Sequence, residues 1–229
     1  MADPWDVLRT EEGRDQLITL ADHYIRAEQD REAGLCLAEL SYVVKHVGSP
    51  SADNAFAEAA RIGAEAVALL RKANDKEGLC RALRLAAVPF LADCEPLLSE
   101  SLSLARELGA VEQEAWTTFA MRSFGGGPDP MCERAHALFE QCGSLEGQAF
   151  CQRTMGFRIG SHDPEMLQRS IDLFEEAGNT EEAERGRAFL DAALMPEDPD
   201  SPKIPPEAIE ELARMIVSGE CGESECEPK

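Results

Sequence analysis

The sequence predicts an all-helical protein in which antiparallel helix pairs stack about five times, and three observations carry that expectation. Ala, Leu, Glu and Arg are plentiful while aromatics make up only 6 % of the chain, which favours helix nearly throughout. No stretch alternates apolar and polar residues over a useful length, so no sheet is expected. The third observation is a repeat. LFEQCGSLEGQA, from Leu138 to Ala149, and LFEEAGNTEEAE, from Leu173 to Glu184, are near-copies 35 residues apart.

Five related phrases extend that comparison: AEQDREAGLC (27–36), KANDKEGLC (72–80), ELGAVEQEA (107–115), QCGSLEGQA (141–149) and EAGNTEEAE (176–184). In each, an apolar helical stretch ends, a short turn follows, and a glutamate opens the next helix. The glutamates are Glu32, Glu77, Glu112, Glu146 and Glu181, spaced 45, 35, 34 and 35 residues apart. The first gap is longer because GSPSADN (48–54) inserts a longer turn. A Gly or Asn after the apolar run permits a left-handed C-cap, and an acid early in the following helix suits its positive end.

The elements then follow in order. The first helices of the pairs are expected over 4–28, 53–73, 95–108, 130–142 and 163–177, and the second helices over 31–47, 76–91, 111–124, 145–160 and 180–194. Leu138, Phe139 and Cys142 share one helical face, as do Leu167, Ile171 and Phe174. Pro96, Pro130, Pro164 and Pro206 sit near helix starts, where proline is tolerated. FGGGPDP (124–130) lacks the Lys-Ser or Lys-Thr of a phosphate-cradling loop and reads as a helix end plus a turn. Helix pairs at this period bury their apolar faces only against their neighbours, which is the definition of a solenoid. The repeat domain is thus expected to cover 1–195. PEDPDSPKIPP carries five prolines and makes 196–206 a linker. PEAIEELARMIV places Ile209, Leu212, Ala213 and Ile216 on one side, so 207–218 is expected as a capping helix within a helical stretch of 205–217. The acidic end, 219–229, is expected to be disordered.

A 34-residue helix–turn–helix unit resembles the tetratricopeptide repeat. The segment from Pro130 to Leu190 carries the resemblance best, with Gly143, Met155-Gly156 and Gly178 where such repeats often hold a small residue or a turn. The usual Trp and Tyr markers of the first helix are largely missing, so no subfamily is implied. The resemblance implies a right-handed α-solenoid whose second helices line a concave face.

Charge bounds the partners. The chain has 44 acids against 22 bases and a formal net charge of −22, which repels nucleic acid and anionic lipid. The N-terminal MADPWDVLRTEEGRD has neither an apolar run nor a cationic leader, and LAAVPFLA is too short to cross a bilayer. Eight cysteines are then expected as free thiols in a reducing cytoplasm, mostly as small core residues. His23, His46, His136 and His162 have no His or Cys at helical ligand spacing, and Cys221 and Cys226 have no further ligands nearby. No nucleophile elbow or distinct acid/base pair is present, so no metal, cofactor or catalysis is expected.

One asymmetry points to a binding surface. Across 78–90, 115–126 and 147–160 the charged residues are Arg81, Arg84, Arg122, Arg153 and Arg158, with no acid; across 95–108, 131–142 and 164–177 there are nine acids and three arginines. Trp116, Phe119, Phe150 and Phe157 interleave with these arginines. The expectation is a non-catalytic scaffold (adaptor, chaperone or regulator). It would bind a protein or peptide with acidic or C-terminal carboxylate groups through Arg81, Arg84, Trp116, Phe119, Arg122, Phe150, Arg153 and Arg158. The arginines could equally pair with acids in adjacent first turns. The alternative function is an acidic inhibitor or immunity-type protein that captures a basic partner on its outer surface.

Overall fold

The structure is a computed structural model that describes residues 10–47, 54–88, 94–121, 130–158 and 161–194. Among them it is all-α apart from one short pairing. The helices are α1 (Glu11–Arg26), α2 (Asp30–Val47), α3 (Ala55–Lys72), α4 (Lys76–Ala86), α5 (Cys94–Leu108), α6 (Val111–Ala120), α7 (Pro130–Cys142), α8 (Leu145–Gly156), α9 (Pro164–Glu176) and α10 (Thr180–Leu194). The expected linker 196–206, capping helix 207–218 and acidic tail lie outside the described residues.

Each repeated phrase folds as one kind of turn. Glu28, Asn74, Gly109, Gly143 and Gly178 all take left-handed backbone, with φ of 56°, 54°, 64°, 72° and 78°. In each case the next residue's N–H reaches five residues back: Gln29 to the Tyr24 carbonyl, Asp75 to Leu70, Ala110 to Ala105, Ser144 to Phe139 and Asn179 to Phe174, all at 2.9–3.1 Å. This six-to-one bond satisfies a carbonyl that the helix end leaves without a partner. The residue that donates it then opens the following helix. Asp75, Ser144 and Asn179 accept from the N–H groups of Gly78, Gly147 and Glu182 at 3.0, 3.3 and 3.1 Å. One short phrase therefore stops a helix and starts its antiparallel partner.

The chain divides into two compact units, with the boundary inside α5 between Leu104 and Ala105. In the first, α1 and α3 both pack on α2, α4 packs on α3, and α2 also touches α4. Leu17, Val43, Leu70 and Leu83 are fully or almost fully buried at its centre. Ser41 Oγ donates to the Ala59 carbonyl at 2.8 Å, and Ser101 Oγ to that of Cys80 at 2.8 Å. In the second unit α6 to α10 pack in sequence, with α6 also touching α8. Its centre is Phe139, Leu167 and Phe174.

Neighbouring turns are also joined within each unit. Lys72 meets Asp30 at 2.7 Å and Arg31 meets Asp75 at 2.8 Å in the first. In the second, Asn179 Nδ2 donates to Glu146 at 2.8 Å, while Glu114 takes Arg106 at 2.9 Å and Arg134 at 3.4 Å. Such exposed pairs contribute only about 0–1 kcal/mol each. Their value here is register: equivalent points of successive hairpins face each other.

Three expectations need correction. The helix expected over 76–91 ends at Ala86, with Ala87 extended at ψ 110°; Val88, which precedes Pro89, is disfavoured from helical geometry, so the helix could not run on to 91. The helix expected over 111–124 ends at Ala120. The helix expected over 145–160 ends at Gly156, and two strands of two residues follow, β1 (Phe157–Arg158) and β2 (Ser161–His162), paired antiparallel. A sheet of this size escapes a search for alternation. It is held by the Phe157 ring stacked on His162 at 4.6 Å and by the Asp163 N–H donating to the Gly156 carbonyl at 2.8 Å.

Two substitutions test the turn. Glu28 carries a side chain where three equivalent turns use glycine, so Glu28→Gly should raise stability by about 0.5–1 kcal/mol in urea unfolding, and Gly178→Ala should lower it by about 1 kcal/mol. Gly147 tests hairpin contact: a Cβ there would sit 2.2 Å from the buried Phe139 ring. Gly147→Ala should cost about 1–3 kcal/mol by the same measurement, as overpacked cores do.

Candidate functional site

The eight residues expected to form one surface fall into both units. Arg81 and Arg84 stand on α4 in the first; Trp116 and Phe119 on α6, and Phe150 and Arg153 on α8, belong to the second. Arg122 lies outside the described residues, and of Arg158 only its backbone place in β1 is described.

On α4, Arg81 Nε donates to Glu39 Oε1 of α2 at 2.6 Å, and Glu39 is buried. Lys45 Nζ donates to the carbonyls of Leu85 and Ala87 at 3.3 and 3.5 Å, so a cation closes the negative end of α4. It also lies over the Tyr42 ring at 5.6 Å. Burial, then the like charge of Arg81, pulls the Arg84 pKa down to about 10, against the attraction of Glu39. Arg84 remains a cation at neutral pH.

The second unit gathers Trp116, Phe119, Phe150 and Arg153 together. Trp116 meets Phe139, Phe150 and Phe119 edge-on at 4.7, 5.7 and 6.1 Å, and Phe150 meets Phe174 at 5.0 Å. Arg153 extends this cluster. Its guanidinium lies 4.9, 5.1 and 5.4 Å from the ring centres of Phe150, Phe174 and Phe189, and its Nη1 pairs with Glu182 Oε2 at 2.6 Å. Glu182 stands in the first turn of α10. A planar cation among aromatic faces, closed by a carboxylate, is a strong internal tie. It joins α8, α9 and α10. The described arginines at Arg81 and Arg153 therefore pair with acids of neighbouring helices, and the aromatics pack between helices.

Polar clusters elsewhere offer little chemistry. Among the described residues no group of three His, Cys, Asp or Glu side chains is placed to hold a metal ion. Cys36, Cys80, Cys132 and Cys151 are buried and all six described cysteines are free thiols. Burial pushes the Cys36 and Cys94 thiols up, away from the reactive thiolate. Among the described residues no helix is long and apolar enough to cross a membrane.

The feature that the sequence reading missed lies in the first unit. Between α1 and α3, over α2, is a slot of about 270 Å³. Ile18, Ala21 and Ile25 line it from α1, Leu37, Leu40 and Val44 from α2, and Ile62 from α3. Asp22, Glu58, Arg61 and Glu65 also line it. Three of the six exposed large apolar residues among the described ones, Ile18, Leu20 and Ile25, are on α1, so unspent apolar surface concentrates there. The signal was legible in part. Leu17 and Ala21 are the apolar side chains of α1 that are buried, and Ile18 and Ile25 make a second apolar stripe that stays exposed.

Removing the Arg153 guanidinium leaves Glu182 half-paired and three rings without their cation. Arg153→Ala should therefore destabilise the protein by about 3 kcal/mol in urea unfolding, with Arg153→Lys losing less than half of that. A change below about 0.5 kcal/mol for Arg153→Ala would show that the tie is not structural.

Compared with protein-family models, with curated proteins and with solved structures, the chain matches none of them.

Proposed function

We propose that this chain is a non-catalytic helical-repeat scaffold whose work is to hold another protein. Repeated turns in register and hairpins packed in sequence support a tetratricopeptide-like, solenoid type of stacking within each unit. The observation that carries the binding role is the slot between α1 and α3. It has an apolar floor and exposed Ile18 and Ile25 at its edge. Exposed apolar grooves rimmed by polar residues mark interaction sites. At about 270 Å³ the slot has room for side-chain anchors of a partner.

What supports this surface over the Arg- and aromatic-bearing helices is that Arg81 and Arg153 pair with Glu39 and Glu182. A second reading, an inhibitor or immunity-type protein that captures a basic partner, is favoured by the net charge of −22. That reading puts capture on the acidic outer surface rather than in an apolar slot. A reducing, cytoplasmic setting is proposed with them, on the ground that all six described cysteines are free.

The test is photo-crosslinking in native lysate from Ile18 or Ile25, each replaced by a photoreactive phenylalanine analogue, with Leu108 as an exposed control. Discrete protein adducts at both slot positions and not at Leu108 are expected. Identical adduct patterns at all three positions, or none at any, would overturn the proposal.

A further inference from the structure

The geometry points to one kind of occupant for the slot: we propose that it receives an amphipathic α-helix of a partner protein, with Lys or Arg beside its apolar face. This inference rests on the scaffold reading and adds the chemistry of the partner.

The slot has two rails of equal length. On α1, Ile18 and Ile25 are seven residues apart with Asp22 between them; on α3, Glu58 and Glu65 are seven apart with Ile62 between them. Seven residues of helix rise about 10 Å. That is the distance between the first and last anchors when a helix lays positions i, i+3, i+4 and i+7 into a groove. The floor residues Leu37, Leu40 and Val44 on α2 are buried, so the apolar contact open to an occupant is made chiefly by Ile18 and Ile25 along the α1 rail.

The rim decides the charge of the occupant. Three carboxylates, Asp22, Glu58 and Glu65, stand against one guanidinium, Arg61. Arg61 is shared: it meets Glu58 at 2.9 Å and Glu65 at 3.7 Å, and its side chain is 63 % exposed. The hydrogen bond from Arg61 holds the Glu58 carboxyl below its ordinary value, so it stays ionised. Asp22 meets only Arg26 among the described ion pairs, at 3.6 Å, and both are exposed. Exposed partners of this kind are readily exchanged for a cation brought by the occupant, which gains steering from the whole chain as well.

The same charge argues against a second copy as occupant, which would bring another net charge of −22 to an acidic rim; like charge costs affinity and disfavours the wrong partner.

The experiment uses the full chain and three fluorescent peptides of about 18 residues, long enough to form helix on binding. One is an amphipathic Leu/Lys helix, the second has Glu in place of every Lys, and the third is the Lys peptide with two central prolines. Fluorescence anisotropy at moderate salt should show the Lys helix binding at least about tenfold more tightly than either of the others. Ile18→Ser/Ile25→Ser, at two exposed positions, should weaken it by about tenfold or more while circular dichroism stays unchanged. Asp22→Lys/Glu65→Lys should reverse the preference between Lys and Glu peptides. Equal binding of the proline peptide would reduce the effect to bulk charge and overturn the proposal. So would undiminished binding by the Ser variant, an unreversed preference, or no binding at all. A partner crosslinked at Ile18 and Ile25 that proves acidic or non-helical would overturn this inference and leave the scaffold reading standing.

Discussion

The structure depends on one backbone interaction repeated five times. A residue in left-handed conformation ends a helix, the following N–H bonds six-to-one to the last turn, and within a few residues the next helix begins. A chain stopped and restarted in so short a space must run back along itself. Each resulting pair is too thin to bury its own apolar face, and within each unit it packs on neighbouring helices. The period of the sequence is therefore the period of the turn, and helix length, hairpin contact and the small residue at Gly147 all follow from it.

That constraint explains what was legible and what was not. Gly109, Gly143, Gly178 and Asn74 announce the turn, because each readily takes left-handed backbone. Glu28 does not announce it; its turn was found only because the phrase around it repeats. The helix ends before Pro89 and at Gly156 were misread because apolar periodicity runs on past them. At Pro89 a local rule was available and outweighed the pattern. At Gly156 the two-residue strands depend on Phe157 meeting His162 and Phe189, contacts that only the folded chain supplies.

The candidate site was less legible, for a physical reason. Residue type says that an arginine on an acid-free helix body carries charge, but not where the guanidinium goes. Arg153 pairs with Glu182, an acid of an adjacent first turn as the sequence left open, and is held besides by three rings that residue type could not announce. Arg81 pairs with Glu39, an acid in the middle of a mostly apolar helix. The slot went unread. Ile18 and Ile25 drew no reading from the sequence, and on α1 it is Leu17 and Ala21 that are buried while these two stay exposed. Charge counted along the sequence located the acids; only the fold shows which of them surround apolar surface.

The most direct measurement is hydrogen–deuterium exchange of the full chain, alone and saturated with the Lys-bearing helical peptide. The account predicts slower exchange confined to the α1 and α3 segments around Ile18–Ile25 and Glu58–Glu65, with α8 and α10 unchanged. Protection centred instead on Trp116, Phe150 and Arg153 would contradict it, and would return the binding surface to the aromatic helices.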